Sequence, residues 1–387
     1  MHPEMDMIPC TIMRGGTSKA IFIMENELPG DPAERDRMIC SIFGSPDLRQ
    51  IDGLGGADVL TSKLAIIGPS SRPDADVNYT FGQVSFEKEF VDYKGNCGNI
   101  SSAVGPFAID AGLVKAIEPV TEVRIHLTNS GQIFTAYVPV KDGKARVSGD
   151  CRIDGVPGTG ARIDMDWSNI IGTVCKKLLP TGNPKDRITV NGREYDVSFV
   201  DAGNPLVFIH AESLGMKGTE TPAEIEQNRV LMDTIEEIRG KAAAVFGLVE
   251  DAKDAAEKSP YNPFFAIISS PSDYICYNGK RICKDDIDIV SRLLFMLRMH
   301  KAYPISGTVC TAAAARIPGS VLWEAMRPEA REREILRIGH PSGALEVSSQ
   351  AEQVEGETKM KSIKVFRTAR KIMDGTVYVK RRDEDVL

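Results

Sequence analysis

Apolar and polar positions along the chain repeat with two periods, one of strands and one of helices. Residues 8–13, 20–24 and 64–67 are apolar runs of strand length. Val84 to Tyr93 alternates apolar and charged residues and predicts a half-buried strand. Glu122 to Val140 predicts a hairpin turned at Asn129-Ser130-Gly131. Further strands are predicted at 145–148, 188–190, 194–200, 206–210, 264–269 and 376–380. Helical spacing predicts a helix over Asp31–Phe43, capped by Asp31 with Pro32 at its first position. A capping box at Thr221–Glu224 opens a second helix that reaches about Phe246. A third is predicted over Asp285–Ala302, where Ile287, Val290, Leu294 and Leu297 share a face. Ile100, Ala103, Val104, Phe107 and Ala108 form an apolar stripe after Cys97, and Pro106 predicts a kink or a short helix there. Ile305 to Ala315 is again a small-residue turn opening a helix.

The two halves thus share a plan of strands, a polar glycine turn, more strands and a small-residue junction starting a helix, an internal repeat without a short period. Two such halves facing each other would place a ligand between opposed helix N-termini. The Gly/Pro-rich stretch 155–160 marks the neighbourhood of the crossover between them. Residues 350–361 read as a charged linker and 381–385 as a solvated tail.

Composition narrows the function class. At 387 residues the chain can bury two cores. Its net charge is −7 and no Lys/Arg block is long enough for a nucleic-acid surface, so an acidic substrate must be drawn by a local positive pocket. No stretch approaches a membrane span or the apolar core of a signal peptide, which predicts a cytoplasmic protein. Eight scattered cysteines without a CxxC are neither a disulfide framework nor a zinc site, and five isolated histidines predict no metal. Gly53-Leu-Gly55-Gly56-Ala57-Asp58 has Asp where a dinucleotide fingerprint needs its third glycine, so no nucleotide is expected. A homo-oligomer is compatible with all of this.

The chemistry concentrates at a few junctions. In Gly95-Asn96-Cys97-Gly98-Asn99, Cys97 stands between a strand and a helix, flanked by small residues. Unpaired N–H groups there favour a thiolate and would bind a carboxylate. The bland reading, a small buried Cys in a tight turn, is reversed by this context. Arg14-Gly15-Gly16-Thr17-Ser18-Lys19 reads equally as a carboxylate cradle and as a hairpin with a solvated tip. Lys63 lies at a loop-to-strand boundary; partly desolvated, it could exchange a proton near neutral pH, but spacing alone favours a surface lysine. Asp201 to Pro205 reads as an exposed polar turn containing Asn204.

RGGTSKA (14–20), RQIDGLGGADVLTSK (49–63), GNCGNISSAVGPFAID (95–110) and GHPSG (339–343) together resemble the PrpF family over nearly the whole chain. That family includes 2-methylaconitate isomerases, 3-methylitaconate isomerases and 4-oxalomesaconate tautomerases, and the run through Asn96–Asn99 is most similar to the 3-methylitaconate branch. The resemblance implies an α+β, diaminopimelate-epimerase-like fold: two similar domains, each a mixed, barrel-like sheet wrapped around a central helix. It places the domains at 1–147, completed by the C-terminal strand at about 372–387, and at 148–371. It implies no cofactor, a small di- or tricarboxylate as substrate, and Lys63 and Cys97 as the proton-transfer pair. Expected substrate contacts are Arg14, Thr17, Ser18, Asn96, Gly98, Asn99, Asn204, Ser306 and Ser342. Epimerases of this fold carry a catalytic Cys at the turn opening the second helix. Here that place reads Ile305-Ser306-Gly307-Thr308, so Ser306 is expected to touch substrate and Cys310 to serve packing. The resulting expectation is a cofactor-independent isomerase that shifts a C=C bond. A two-base epimerase or racemase of the same fold and a non-catalytic small-acid-binding protein are the competing readings.

Overall fold

The computed structural model describes residues 4–93, 96–295 and 297–381; Gly95 of the cysteine junction and residues 382–385 of the expected tail lie outside them. In chain order the elements are β1 (Met5–Gly15), β2 (Ser18–Met24), α1 (Pro32–Phe43), β3 (Lys63–Pro69), β4 (Val77–Val84), β5 (Val91–Asp92), α2 (Gly98–Asp110), β6 (Val120–Leu127), β7 (Gln132–Lys141), β8 (Lys144–Ala145) and β9 (Ile163–Asp166). There follow β10 (Asp186–Val190), β11 (Arg193–Ala202), β12 (Asn204–His210), α3 (Pro222–Gln227), α4 (Arg229–Val245), α5 (Ala255–Lys258), β13 (Phe264–Ser269), β14 (Tyr274–Ile275), β15 (Arg281–Ile282), β16 (Ile289–Phe295) and β17 (Arg298–Met299). The chain ends with α6 (Ile305–Ala314), α7 (Val321–Ala325), β18 (Ile335–His340), β19 (Gly343–Val354), β20 (Glu357–Arg367) and β21 (Ala369–Lys380).

Two compact units result, Met1–Met165 with Phe366–Leu387, and Asp166–Val365. The division therefore falls near residue 165, beyond the expected 147, and β21 belongs to the first unit by pairing with β1 along its length.

In the first unit the strands run β21-β1-β2-β3-β4-β6-β7-β8, with β2–β3 and β4–β6 parallel and the other pairs antiparallel. Residues of α2 from Ile100 to Ile109 are all buried, which a helix achieves only when enclosed. It packs against β1, β2, β3, β6, β7, β8 and β21, so the sheet wraps around it. The opposite face of the sheet carries Ile21, Ile23, Leu64 and Ile66, which meet Ile39, Ile42 and Phe43 of α1. α1 starts as the sequence predicts, Asp31 accepting from the Glu34 N–H at 2.9 Å. The helix runs through Pro106 for 13 residues rather than stopping short.

The second unit repeats the scheme. Its strands run β10-β11-β12-β13-β16-β18-β19-β20, again with two parallel pairs, β12–β13 and β16–β18. The central helix is α6, buried except at Ser306, and α4 covers the outer face with Ile235, Ile238 and Ala242 against Val207, Ile209 and Phe265. Each unit also carries the same ion-pair clamp between its second parallel strands. In the first, the Asp76 carboxylate accepts from Arg124 N–H at 2.7 Å, Nε at 3.2 Å and Nη2 at 2.7 Å. In the second, Asp288 accepts from Arg337 N–H at 2.9 Å, Nε at 3.2 Å and Nη2 at 2.7 Å.

Several sequence expectations need correction. Asp285–Ala302 is not a helix: β16 occupies it, and because Ile289 to Leu294 are all buried the apolar run suits either period. Val84–Tyr93 is not one strand but a hairpin, Val84 pairing with Val91 around a charged tip whose Ser85 hydroxyl accepts from the Glu87 and Lys88 N–H groups. The helix from Thr221 is interrupted at Asn228, whose side chain caps α4 by accepting from Leu231 N–H at 3.1 Å. Residues 350–361 form the β19–β20 hairpin, turned at Glu355 and Gly356 with φ of 53° and 85°. Asp201 is wholly buried, its carboxylate accepting from the N–H groups of Val174 and Cys175 and the Thr173 hydroxyl, so the 201–205 turn is not exposed.

The clamps differ in burial: the Asp288 side chain is 0% exposed and also bound by Arg333, whereas Asp76 is 26% exposed. Burial raises the Asp288 pKa, but hydrogen bonds from Arg337 and Arg333 outweigh it and hold the carboxyl below its usual range. Its contribution is therefore present above the unfolded carboxylate pKa and is lost as pH falls through the lower folded value. We expect Asp288→Ala to destabilise the protein by about 3 kcal/mol, because it removes the wholly buried acceptor on which the Arg337 N–H and the half-buried Arg337 and exposed Arg333 guanidiniums converge. Asp76→Ala should cost no more than about 2 kcal/mol. Urea unfolding of both variants checks this; equal losses would mean that burial does not set the cost.

Candidate active site

Cys97 is the N-cap of α2, partly exposed, with no side chain capping the first turn. Its carbonyl accepts from the Ser101 N–H at 2.9 Å and hydroxyl at 3.0 Å, which fixes the start of the helix. The β1–β2 turn lies directly on this first turn. A Cβ at Gly15 would come within 2.5 Å of the Asn99 carbonyl oxygen, and one at Gly16, where φ is 51°, within 2.2 Å of Asn99 Oδ1. Only glycine tolerates that approach. Asn99 is thereby held between two partners: its Nδ2 donates to Thr17 Oγ1 at 3.1 Å and its Oδ1 accepts from Arg367 Nε at 3.1 Å.

Lys63 is the first residue of β3 and only 8% exposed, so it is not a surface lysine. Its Nζ donates to Gln83 Oε1 at 2.8 Å and lies 5.1 Å from the centre of the Phe81 ring; Gln83 is held in turn by the Ser62 carbonyl at 2.8 Å. Register decides where Lys63 points. It pairs with Ala20 across β2, and Phe22, two residues on, stacks against Phe107 of α2 with ring centres 5.3 Å apart. Residues paired across strands or two apart share a face. Lys63, Ser18, Ala20 and Phe22 therefore face α2, as do Tyr79, Phe81 and Gln83 of β4. The proton-transfer candidates Lys63 and Cys97 stand on one side of one sheet, though no hydrogen bond joins them.

Two buried hydroxyls stand on this face: that of Ser18 has no hydrogen-bond partner, and that of Tyr79 has only the neighbouring Ser101. Burial, reinforced by the neighbouring Cys97 thiol, pushes the Tyr79 phenol far up, while Ser101 counteracts it. Arg14 spends Nη1 on the carbonyls of Gly16 at 2.9 Å and Thr368 at 2.8 Å, so it fastens the turn as well as charging it; burial and then Arg370 lower its pKa. Burial lowers Arg367 further, to about 10, against the opposing effect of Cys151.

The other expected contacts divide by position. Gly98 opens α2, and exposed Asn96 donates to the Ser130 hydroxyl at 3.1 Å, tying the junction to the β6–β7 turn. In the second unit Asn204 Nδ2 donates to Ser306 Oγ at 3.1 Å, beside Gly203 at φ 75°, which repeats the turn-on-helix arrangement of Gly16 and Asn99. Ser342 is not hydrogen-bonded to that pair; its hydroxyl meets His340 Nδ1 at 3.2 Å. Cys310 is fully buried against the Val200 carbonyl, 3.3 Å away. The glycines of 53–56 serve packing, Gly53 against Phe43 and Gly44, Gly55 against Gln50, Gly56 against Thr61. Sequence reasoning missed Arg367, Gln83 and Tyr79. Arg367 has its partner Asn99 268 residues away, and no local pattern distinguishes it from other strand arginines.

A lysine and a helix-capping cysteine thus stand on one sheet face, beside two arginines, Arg14 and Arg367, that among the described residues have no carboxylate partner. The family model described as PrpF protein matches residues 5–380, and the chain belongs to that family. It is 52% identical to 3-methylitaconate isomerase of Eubacterium barkeri over 97% of both chains, and 40% identical to 4-oxalomesaconate tautomerase of Pseudomonas putida over 97% and 96%. A crystal structure of methylitaconate-delta-isomerase superposes with a TM-score of 0.91 at 51% identity, covering 99% of this chain and 98% of that one. The chain is an isomerase that transposes a C=C bond.

The Gly16 approach yields a check on the geometry. Gly16→Ala places a methyl against Asn99 and strains the turn, so it should cost about 1–3 kcal/mol and lower turnover by displacing Asn99. Gly30→Ala, at an open position, should change neither. Thermal unfolding and a turnover assay on both variants would show it.

Proposed function

We propose that the protein moves a C=C bond in a small unsaturated di- or tricarboxylate by allylic proton transfer between Lys63 and Cys97, with no cofactor, and that its substrate is of the 3-methylitaconate type. The observation that carries this reading is that both groups belong to one unit. The second unit has Phe264 at the position of Lys63, the first residue of the strand that pairs in parallel, and Pro304 at the N-cap position of Cys97. Neither can carry a proton. An epimerase needs an acid on each face of its carbon, whereas a double-bond shift needs removal and return within reach of one set of groups. The 52% identity to a 3-methylitaconate isomerase supports the substrate type.

One of the pair takes the allylic proton and the other returns a proton to the far alkene carbon, so the double bond moves by one position. In between, negative charge collects on a carboxylate conjugated with the allylic carbon. On this reading the uncapped N–H groups of the first turn of α2 and the Ser18 hydroxyl stabilise that charge. Burial of Lys63 against Phe81 and Gln83 excludes water from the exchange.

Incubation with 3-methylitaconate in D₂O, followed by NMR, tests the reading: the product should carry deuterium, while diaminopimelate, proline and glutamate should take up none at their α-carbons. Amino-acid exchange without exchange into any unsaturated acid would sink it. Cys97→Ala should lower turnover by roughly two orders of magnitude or more. Lys63→Arg should be as inactive as Lys63→Ala, since a guanidinium keeps its proton in the working range. Substantial activity in the Arg variant would make Lys63 an electrostatic anchor only.

A further inference from the structure

Arg367 enters the site from the far end of the sequence, on the last residue of β20. Its guanidinium has five N–H donors, of which two are committed: Nε to Asn99 Oδ1 at 3.1 Å and Nη1 to the Phe366 carbonyl at 2.8 Å. Among the described residues no carboxylate pairs with it, and none pairs with Arg14, bound on the other side of Thr368. Both arginines are half-buried, and taking a cation even partly out of water without a counter-ion is unfavourable, so an anionic group would complete the pair. The Ser18 hydroxyl is 3% exposed and without a partner, and Ser18 pairs with Gly15, which lies against the first turn of α2.

We propose that Arg367 is a substrate-binding residue: its uncommitted N–H groups hold the carboxylate that does not take up the migrating charge. This rests on the isomerase reading above and names the group that makes the enzyme select a diacid. The division of labour follows from position. First-turn N–H groups lie beside Cys97 and fall to the reacting carboxylate. Arg367 is held two residues further along by Asn99, and falls to the other. Asn99 also links Arg367 to Thr17, so the β1–β2 turn and the cation are set together.

The test separates binding from turnover. Methylsuccinate, a saturated diacid that cannot isomerise, and its two monomethyl esters are titrated into the wild-type protein, Arg367→Gln and Arg367→Lys by calorimetry. Kinetics are run on 3-methylitaconate. We expect Arg367→Gln to weaken methylsuccinate about 30-fold and to raise KM for 3-methylitaconate by a similar factor, with kcat within about twofold. One monoester should bind wild type and variant alike. Arg367→Lys, keeping the charge but not the planar fork, should lose about 5–10-fold, and it carries the test if the Gln variant does not fold. Unchanged methylsuccinate affinity in the variants, no methylsuccinate binding by the wild type, or a fall in kcat with KM unaltered would overturn the proposal. If the wild type turns over no unsaturated acid, the isomerase reading fails, while the methylsuccinate titration still decides the role of Arg367.

Discussion

α2 has no solvent face between Ile100 and Ile109, and that constraint shapes the first unit. A helix apolar on every side cannot lie on a flat sheet; the sheet must curl until the strands at both ends of its order, β21 and β8, reach it. The sheet's outer face then needs its own cover, which α1 provides. Enclosure also dictates where polar chemistry can stand. The flanks of the helix are sealed, so its first turn, with unsatisfied N–H groups and Cys97 as N-cap, is the place where a small anion can meet it. Gly15 and Gly16 follow from the same constraint, since the wall approaches that turn too closely for any side chain.

The second unit shows which of these features belong to the fold and which to the chemistry. It keeps the strand order, the enclosed helix, the glycine turn on the first helical turn and the Asp–Arg clamp, the last to within 0.2 Å in every bond. It does not keep Lys63 or Cys97, having Phe264 and Pro304 at the corresponding positions, and the proton-transfer proposal rests on that difference. The clamp ties the residue before one strand of the second parallel pair to its partner strand, and both units retain it there. Proton transfer within one substrate needs a single set of groups.

What the sequence made legible was local. The small-residue junction at Cys97, the Asp31 and Thr221 caps and the 120–141 hairpin are each encoded within a few residues. Even the duplication could be read as an order of elements. Failures occurred where burial removes periodicity, or where partners are remote. β16 is buried on both faces, and a run such as Ile289-Val290-Ser291-Arg292-Leu293-Leu294 carries no signal to separate strand from helix. Asp201 looked like a turn residue because the donors that bury it come from 173–175. Lys63 looked like a surface residue because Gln83 and Phe81, which cover it, belong to the next strand.

The neighbours chosen for Lys63 bear on its role. An aspartate or glutamate in place of Gln83 would hold the ammonium as a full ion pair. Gln83 Oε1 is a neutral acceptor: it orients the nitrogen at 2.8 Å without a full counter-charge, and the Phe81 ring adds attraction of the same uncharged kind. Arg14 and Arg367 are likewise held by carbonyl and amide oxygens, not carboxylates. In a protein of net charge −7, neither arginine pairs with a carboxylate among the described residues. Lysine and arginines alike are thus oriented by neutral oxygens, which fix their geometry without supplying a counter-charge.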